Sequence, residues 1–246
     1  VDNFLDGTQG DILLIQFELP LDTLWHAIEV AKKKNMKVML YSNGIGPLER
    51  KGNIKKTKKI LDKVDLITLR DERSYKTLSE IGIENKNVKV TADPALDLDI
   101  ADEKLGKAIL KNEGVPSDKK LLGVSVRKWQ NLGSDFETQI ANACDYAYEK
   151  YGYYTVFLPM QSSRDTAIMQ NIKRKMKHES AIIKKRYSVE GMLSIIKCFD
   201  MCIGMRLHTL IYAAINSVPL IGLVYDPKIN SFMEYTHQRH YVDVNE

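Results

Sequence analysis

The stretch Cys202-Ile203-Gly204-Met205-Arg206-Leu207-His208-Thr209-Leu210, with its continuation to Tyr225-Asp226-Pro227-Lys228, reads as strand, tight turn, helix and strand. Residues 199–203 are apolar, Gly204 stands at the bend, residues 207–215 carry helical periodicity, and 219–224 are apolar again. A guanidinium and an imidazole therefore fall where a strand ends and a helix begins. Amides of a first helical turn lack intrahelical partners and the dipole there is positive, so an anion is favoured. In an open α/β sheet the same edge is where ligands bind. The plain alternative is an Arg206 paired with a surface carboxylate and a purely structural His208.

The same alternation runs outward in both directions. In the second half, strands are predicted at 120–126, 154–158 and 181–183, with helices at 134–150, 163–177 and 189–197 opened by Ser134, Ser163 and Ser188 as N-caps. In the first half, strands are predicted at 11–19, 37–41, 66–69 and 88–91. Helices fall at 23–34 (capped by Asp22), at 53–63, and from Arg70-Asp71-Glu72-Arg73-Ser74 to about Gly82. Residues 1–10 read as loose, and 96–119 as a linker with a helix. The expectation is an α/β chain of two Rossmann-like parallel-sheet halves, 1–115 and 116–246, with strand carboxyl ends turned toward a shared cleft.

Bulk properties narrow the function. A chain of 246 residues buries a proper core. Its net charge of +4 arises from 36 basic and 32 acidic residues, which gives no argument for nucleic acid. The basic runs 51–63 and 173–186 carry apolar residues at helical spacing and read as solvated helix faces, with a basic rim suited to an anionic substrate or an acidic membrane surface. Cys144, Cys198 and Cys202 match no metal-ligand spacing, so no metal is expected, and free thiols suit a cytoplasmic protein. No stretch reaches the ~18 apolar residues of a membrane span, and no signal peptide is read. Opening on Val1 rather than Met suggests a processed or cut chain.

At the strand ends of the second half stand Arg127, Gln161, Asp165, Arg206, His208, Asp226 and Lys228. In the first half, the turn Ser42-Asn43-Gly44-Ile45-Gly46-Pro47 offers Asn43 and Gly44. Two arginines can hold a small polyanion bearing a carboxylate and a phosphate, because the guanidinium fork matches both groups. A histidine beside them gives or takes a proton near neutrality. There is no Gly-x-Gly-x-x-Gly, no P-loop and no nucleophile elbow, which disfavours dinucleotides, nucleoside triphosphates and covalent hydrolysis. The residues by themselves describe an anion-handling α/β protein with one acid/base histidine.

The motifs YSNGIGP (41–47), RDERS (70–74), TADPA (91–95), GVSVR (123–127) and GMRLHTLIYAAINSVPLIGLVYDPKINSF (204–232), in that order, resemble the polysaccharide pyruvyl transferase family. The likeness is nearest to the CsaB-like enzymes that ketalate cell-wall polysaccharide, and it covers roughly residues 32–244. It implies a GT-B-like pair of domains with an incomplete N-terminal half, the first domain on the acceptor side and the second on the phosphoenolpyruvate side. It also implies transfer of enolpyruvyl from phosphoenolpyruvate to two hydroxyls of a saccharide, taken as N-acetylmannosamine, giving a 4,6-ketal and phosphate. By the resemblance, Arg127, Arg206 and the backbone of Leu207 bind phosphoenolpyruvate and His208 is the general acid. Asn43, Gly44, Gln161, Asp165, Asp226 and Lys228 are cleft candidates. No cofactor is implied, phosphoenolpyruvate being a substrate. The implied partners are a lipid-linked saccharide and, peripherally, the inner membrane face; the oligomeric state stays open. Residues 11–31 instead resemble a β-α unit of ribokinase-type sugar kinases, so a chimeric or truncated chain is expected. The alternatives are a non-catalytic hybrid of the same fold or a GT-B nucleotide-sugar transferase.

Overall fold

The structure, a computed structural model, describes residues 11–16, 20–46, 48, 50–130 and 132–245. The loose segment expected at 1–10, the strand residues expected at 17–19, and Pro47 of the turn lie outside the described residues. Two compact units divide at Pro94 and Ala95.

The first unit is a four-stranded parallel sheet in the order β1-β2-β3-β4: β1 (Ile12–Ile15), β2 (Lys37–Asn43), β3 (Leu66–Leu69) and β4 (Val88–Val90). Its crossovers are α1 (Leu21–Lys33), α2 (Lys51–Leu61) and α3 (Glu72–Glu80). The central strand β3, sequence LITL, is almost wholly buried, as expected of a parallel strand covered on both faces. Ile28, Val38, Ile60 and Ile67 form the middle of this core at 0% exposure. Asp65 pins the entrance of β2, accepting the Val38 N–H at 2.7 Å while pairing with Lys32 and Lys37. The expected Asp22 cap is corrected here. α1 starts at Leu21 with Pro20 as its N-cap, and Asp22 lies within the first turn, where it pairs with Lys56.

The second unit is a six-stranded parallel sheet in the order β10-β9-β8-β5-β6-β7, formed by β5 (Lys120–Ser125), β6 (Tyr153–Phe157), β7 (Ser180–Ile182), β8 (Met201–Gly204), β9 (Leu220–Val224) and β10 (Tyr241–Asp243). Counted from β5 and read from the β7 edge, this is 3-2-1-4-5-6, the order of a dinucleotide-binding Rossmann sheet, with its switch point between β5 and β8. Its helices are α4 (Glu103–Asn112), α5 (Phe136–Tyr151), α6 (Ser162–Lys175), α7 (Val189–Lys197), α8 (Leu207–Ile215) and α9 (Pro227–Tyr235). One buried cluster joins Ile109, Val156, Ile195, Leu210 and Ile229; a second joins Val124, Ile140, Met169, Ile172 and Met205.

The second unit takes in residues 95–115, expected with the first half. α4 accounts for this: Ile109 and Leu110 are buried in the second unit's core, and Gly106 lies so close to α7 that a Cβ would stand 1.9 Å from the Ser194 carbonyl oxygen. Ser188 caps α7 as expected, accepting the Gly191 N–H. Two other expected serine caps are corrected. α5 is preceded by Asp135, to which Ser134 donates a hydrogen bond, and α6 starts at Ser162 with Gln161 at its cap position.

Candidate functional site

β5 and β8 are in register with Ser125 opposite Gly204, and Arg127 and Arg206 each stand two residues beyond that pair. The two chain segments continue side by side past the sheet edge. The Met205 N–H donates to the Ser125 carbonyl at 2.8 Å, and the Arg127 N–H donates to the Met205 sulfur at 3.4 Å. Matched register thus brings both predicted arginines to the switch-point crevice, where a parallel sheet binds ligands.

Their side chains are held differently. Arg206 is the N-cap residue of α8. Its Nε donates to Asp165 Oδ2 at 3.2 Å, its Nη2 to Asp165 Oδ1, and its Nη2 also to Gln161 Oε1 at 3.2 Å. Asp165, in the first turn of α6, is fully buried and also accepts the Gln161 N–H at 2.9 Å. That last bond explains the corrected start of α6: a carboxylate from inside the helix closes its first turn, and no serine is needed. Arg206 is thus paired with a carboxylate, as the plain alternative supposed, but with a buried one from another strand end, so that its remaining edge is held in a set direction.

Arg127 is half-buried. Its Nη1 donates to the Tyr225 hydroxyl at 3.1 Å, and its guanidinium carbon lies 5.1 Å from the Trp129 ring centroid and 5.3 Å from that of Tyr225. Its Nε is buried and has no hydrogen-bond partner among the described residues. A buried donor without an acceptor carries a desolvation cost. Asp226 caps α9 by accepting the Lys228 N–H at 3.0 Å, with Lys228 Nζ 3.9 Å from its other oxygen and 5.9 Å from the Tyr225 ring centroid. Leu207 and His208 are the first two residues of α8. Leu207 is buried, so only its backbone faces the turn, whereas His208 is exposed, its ring 6.1 Å from that of Tyr212.

Six candidates of the second unit therefore fall in two linked groups, Arg206–Asp165–Gln161 and, joined through Tyr225, Arg127–Lys228–Asp226, at the ends of β5, β6, β8 and β9, with Leu207 and His208 at the start of α8. Asn43 and Gly44 belong to the first unit, at the end of β2. With its amide turned to make them, Asn43 donates to the Ile15 and Tyr41 carbonyls at 2.9 Å each, a structural tie between β1 and β2. Gly44 makes room for Arg70, whose guanidinium would be 2.5 Å from a Cβ there and which pairs with Asp71 at 3.7 Å and Asp93 at 3.9 Å. Arg70, Trp129 and Tyr225 were not singled out from the sequence. Each lies just beyond the end of a strand, and that position was the available signal.

Burial pushes the Cys144 and Cys202 thiols up to about 12 and Cys198 to about 11, so none is a ready nucleophile. Among the described residues, no group of His, Cys, Asp or Glu is arranged to hold a metal ion, and no helix is long and apolar enough to cross a membrane.

No curated protein matches the chain in sequence. Its backbone is similar to MnaA of S. aureus solved with UDP (TM-score 0.69, 13% identity, covering 96% of this chain and 63% of that one). It is also similar to the UDP-GlcNAc 2-epimerase of Methanocaldococcus jannaschii in complex with UDP-GlcNAc and UDP (0.66, 17%, 99% and 68%). A glycosyltransferase from Rickettsia africae ESF-5 is a third (0.64, 16%, 99% and 65%). The chain spans 63% of the length of the first of these, and at such identities the likeness concerns the fold: two parallel-sheet α/β halves of the GT-B kind. The family model described as polysaccharide pyruvyl transferase matches residues 9–227, a span that includes the β-α unit at 11–31 likened to sugar kinases, and the chain belongs to that family of transferases.

Proposed function

We propose that the second unit binds phosphoenolpyruvate between Arg127 and Arg206 and transfers its enolpyruvyl group to a saccharide. The observation that carries this reading is the matched placement of the two arginines beyond the registered pair Ser125 and Gly204. A trianion with a carboxylate at one end and a phosphate at the other suits two guanidiniums at adjacent strand ends, aided by the first-turn amides at Leu207. Asp165 holds one edge of Arg206 through Nε and Nη2 and leaves Nη1 for the ligand, while the guanidinium of half-buried Arg127 offers a second cation.

In the proposed reaction His208 donates a proton to the C3 methylene, making C2 electrophilic. One sugar hydroxyl forms a bond to C2, the C2–O bond to phosphate breaks, and a second hydroxyl closes the ketal. Of the two hydroxyl protons released, one restores the histidine and the other leaves with phosphate. Exposure of His208 at the start of α8 suits a group that must meet substrate and be reprotonated. The acceptor proposed is an N-acetylmannosamine residue ketalated at positions 4 and 6, on a lipid-linked saccharide at the inner membrane face.

His208→Ala should lower ketal formation by about 10²–10⁴-fold while calorimetry still detects phosphoenolpyruvate binding. A full rate in that variant removes His208 from its role. Tight binding of a UDP-sugar in place of phosphoenolpyruvate would replace the reading with nucleotide-sugar transfer.

A further inference from the structure

Trp129 and Tyr225 come from the ends of β5 and β9, two strands separated by β8. Their rings nevertheless meet edge to face, with centroids 4.8 Å apart and planes at 67°. Both are half-buried, packed on one side against the cluster that includes Val126 and Met205. Arg127 touches both rings and donates to the Tyr225 hydroxyl, and the Lys228 ammonium lies over the Tyr225 ring. Aromatic surface left partly open beside converging polar and charged groups has the composition of a binding site for a ligand with one apolar face.

We infer that the Trp129–Tyr225 pair is a platform for a pyranose ring of the acceptor saccharide. The axial C–H face of a sugar is apolar and its hydrogens are slightly positive, which suits the negative face of an aromatic ring. Its hydroxyl rim needs donors and acceptors, and Lys228 and Asp226 stand beside Tyr225 to supply them. Because Arg127 contacts both rings, a sugar on this platform lies next to the anion Arg127 would hold, as bond formation at C2 demands. The assignment gives the second unit a share of the acceptor as well as the donor. It rests on the pyruvyl-transfer reading for the identity of the sugar, though not for the existence of the platform.

The chain has two tryptophans, Trp25 and Trp129, so Trp129 reports alone in a Trp25→Phe background. Titrating the full chain with the methyl glycoside of N-acetylmannosamine should change its emission saturably. By calorimetry, Trp129→Ala should weaken that saccharide about tenfold and phosphoenolpyruvate by a smaller factor, through the ring lost beside Arg127, and Trp129→Phe should recover most of both losses. An emission unmoved by the saccharide overturns the platform, as does a response to UMP without one to the saccharide. Equal loss of both ligands in Trp129→Phe overturns it too, since a phenyl ring keeps the stacking face. A saccharide response in a chain that binds no phosphoenolpyruvate upholds the platform and sinks the pyruvyl-transfer reading; phosphoenolpyruvate binding without a saccharide response does the reverse.

Discussion

Asp165 grips Arg206 from the side, through Nε and Nη2, and the carboxylate doing so is wholly shielded from water. The two residues are 41 apart in sequence and belong to different strand ends. Such a pair adds little net stability against an apolar replacement, but removing one partner leaves an uncompensated buried charge. Asp165→Asn should therefore destabilise the chain by about 3 kcal/mol in urea unfolding. It should also weaken phosphoenolpyruvate binding about tenfold in calorimetry, because the guanidinium loses its set direction. Asp165→Glu should recover part of both losses, and unchanged affinity in the Asn variant would show that the pair serves stability alone.

Gly106 is the close-approach point of α4 and α7. A methyl group there would meet the Ser194 carbonyl oxygen at 1.9 Å, and backbone cannot swing aside as a side chain can. Gly106→Ala gains about 1 kcal/mol of helix propensity, but overpacking of this kind costs about 1–3 kcal/mol or more. The net outcome should be a lower denaturation midpoint. A raised midpoint would mean that α4 can shift away from α7 freely.

Glu113, at the end of α4, accepts the N–H groups of Lys184 and Lys185 and the Tyr187 hydroxyl. Burial raises its carboxyl, yet these bonds more than offset that and hold it below the ordinary 4.5. Asp65 in the first unit is likewise raised by burial and brought below 3.8 by Lys32, the Val38 amide and Lys37. A carboxylate depressed on folding contributes stability that is complete above its unfolded value and is lost as pH falls through its folded one. Stability should thus decline from about pH 5 toward about pH 3. Glu113→Gln should lose about 1 kcal/mol at neutral pH and flatten that acid limb, as read from urea midpoints across the range.

The three thiols are shielded to different degrees, Cys144 and Cys202 being buried and Cys198 half-buried. All three are raised by desolvation, so at pH 8 the folded chain should react slowly with a disulfide reagent, Cys198 first. Unfolding in guanidinium should release three fast equivalents, as the sequence holds three cysteines. A fast equivalent from Cys202 in the folded chain would contradict its place in the core.

Strand-turn-helix order was legible because a parallel strand buried on both faces must be a short apolar run, as LITL at 66–69 is, and because Ser188 caps the helix that follows it directly. The caps expected at Ser134 and Ser163 give way because each is a local rule that a neighbour can overrule: Asp165 reaches back to the Gln161 amide and starts α6 earlier. The position of α4 could not be read locally either, since its partner α7 is about 85 residues away and the deciding feature is a missing side chain at Gly106.

The sequence by itself determined the class of fold, the placing of Arg127, Arg206 and His208 at strand ends, and the family, all of which depend on periodicity and on residues close together in the chain. Only the tertiary structure decided that Ser125 stands opposite Gly204, that Asp165 turns Arg206, and that Trp129 meets Tyr225 across β8. Those pairings depend on strand order and register, which are set by the packing of the whole unit and not by any one segment.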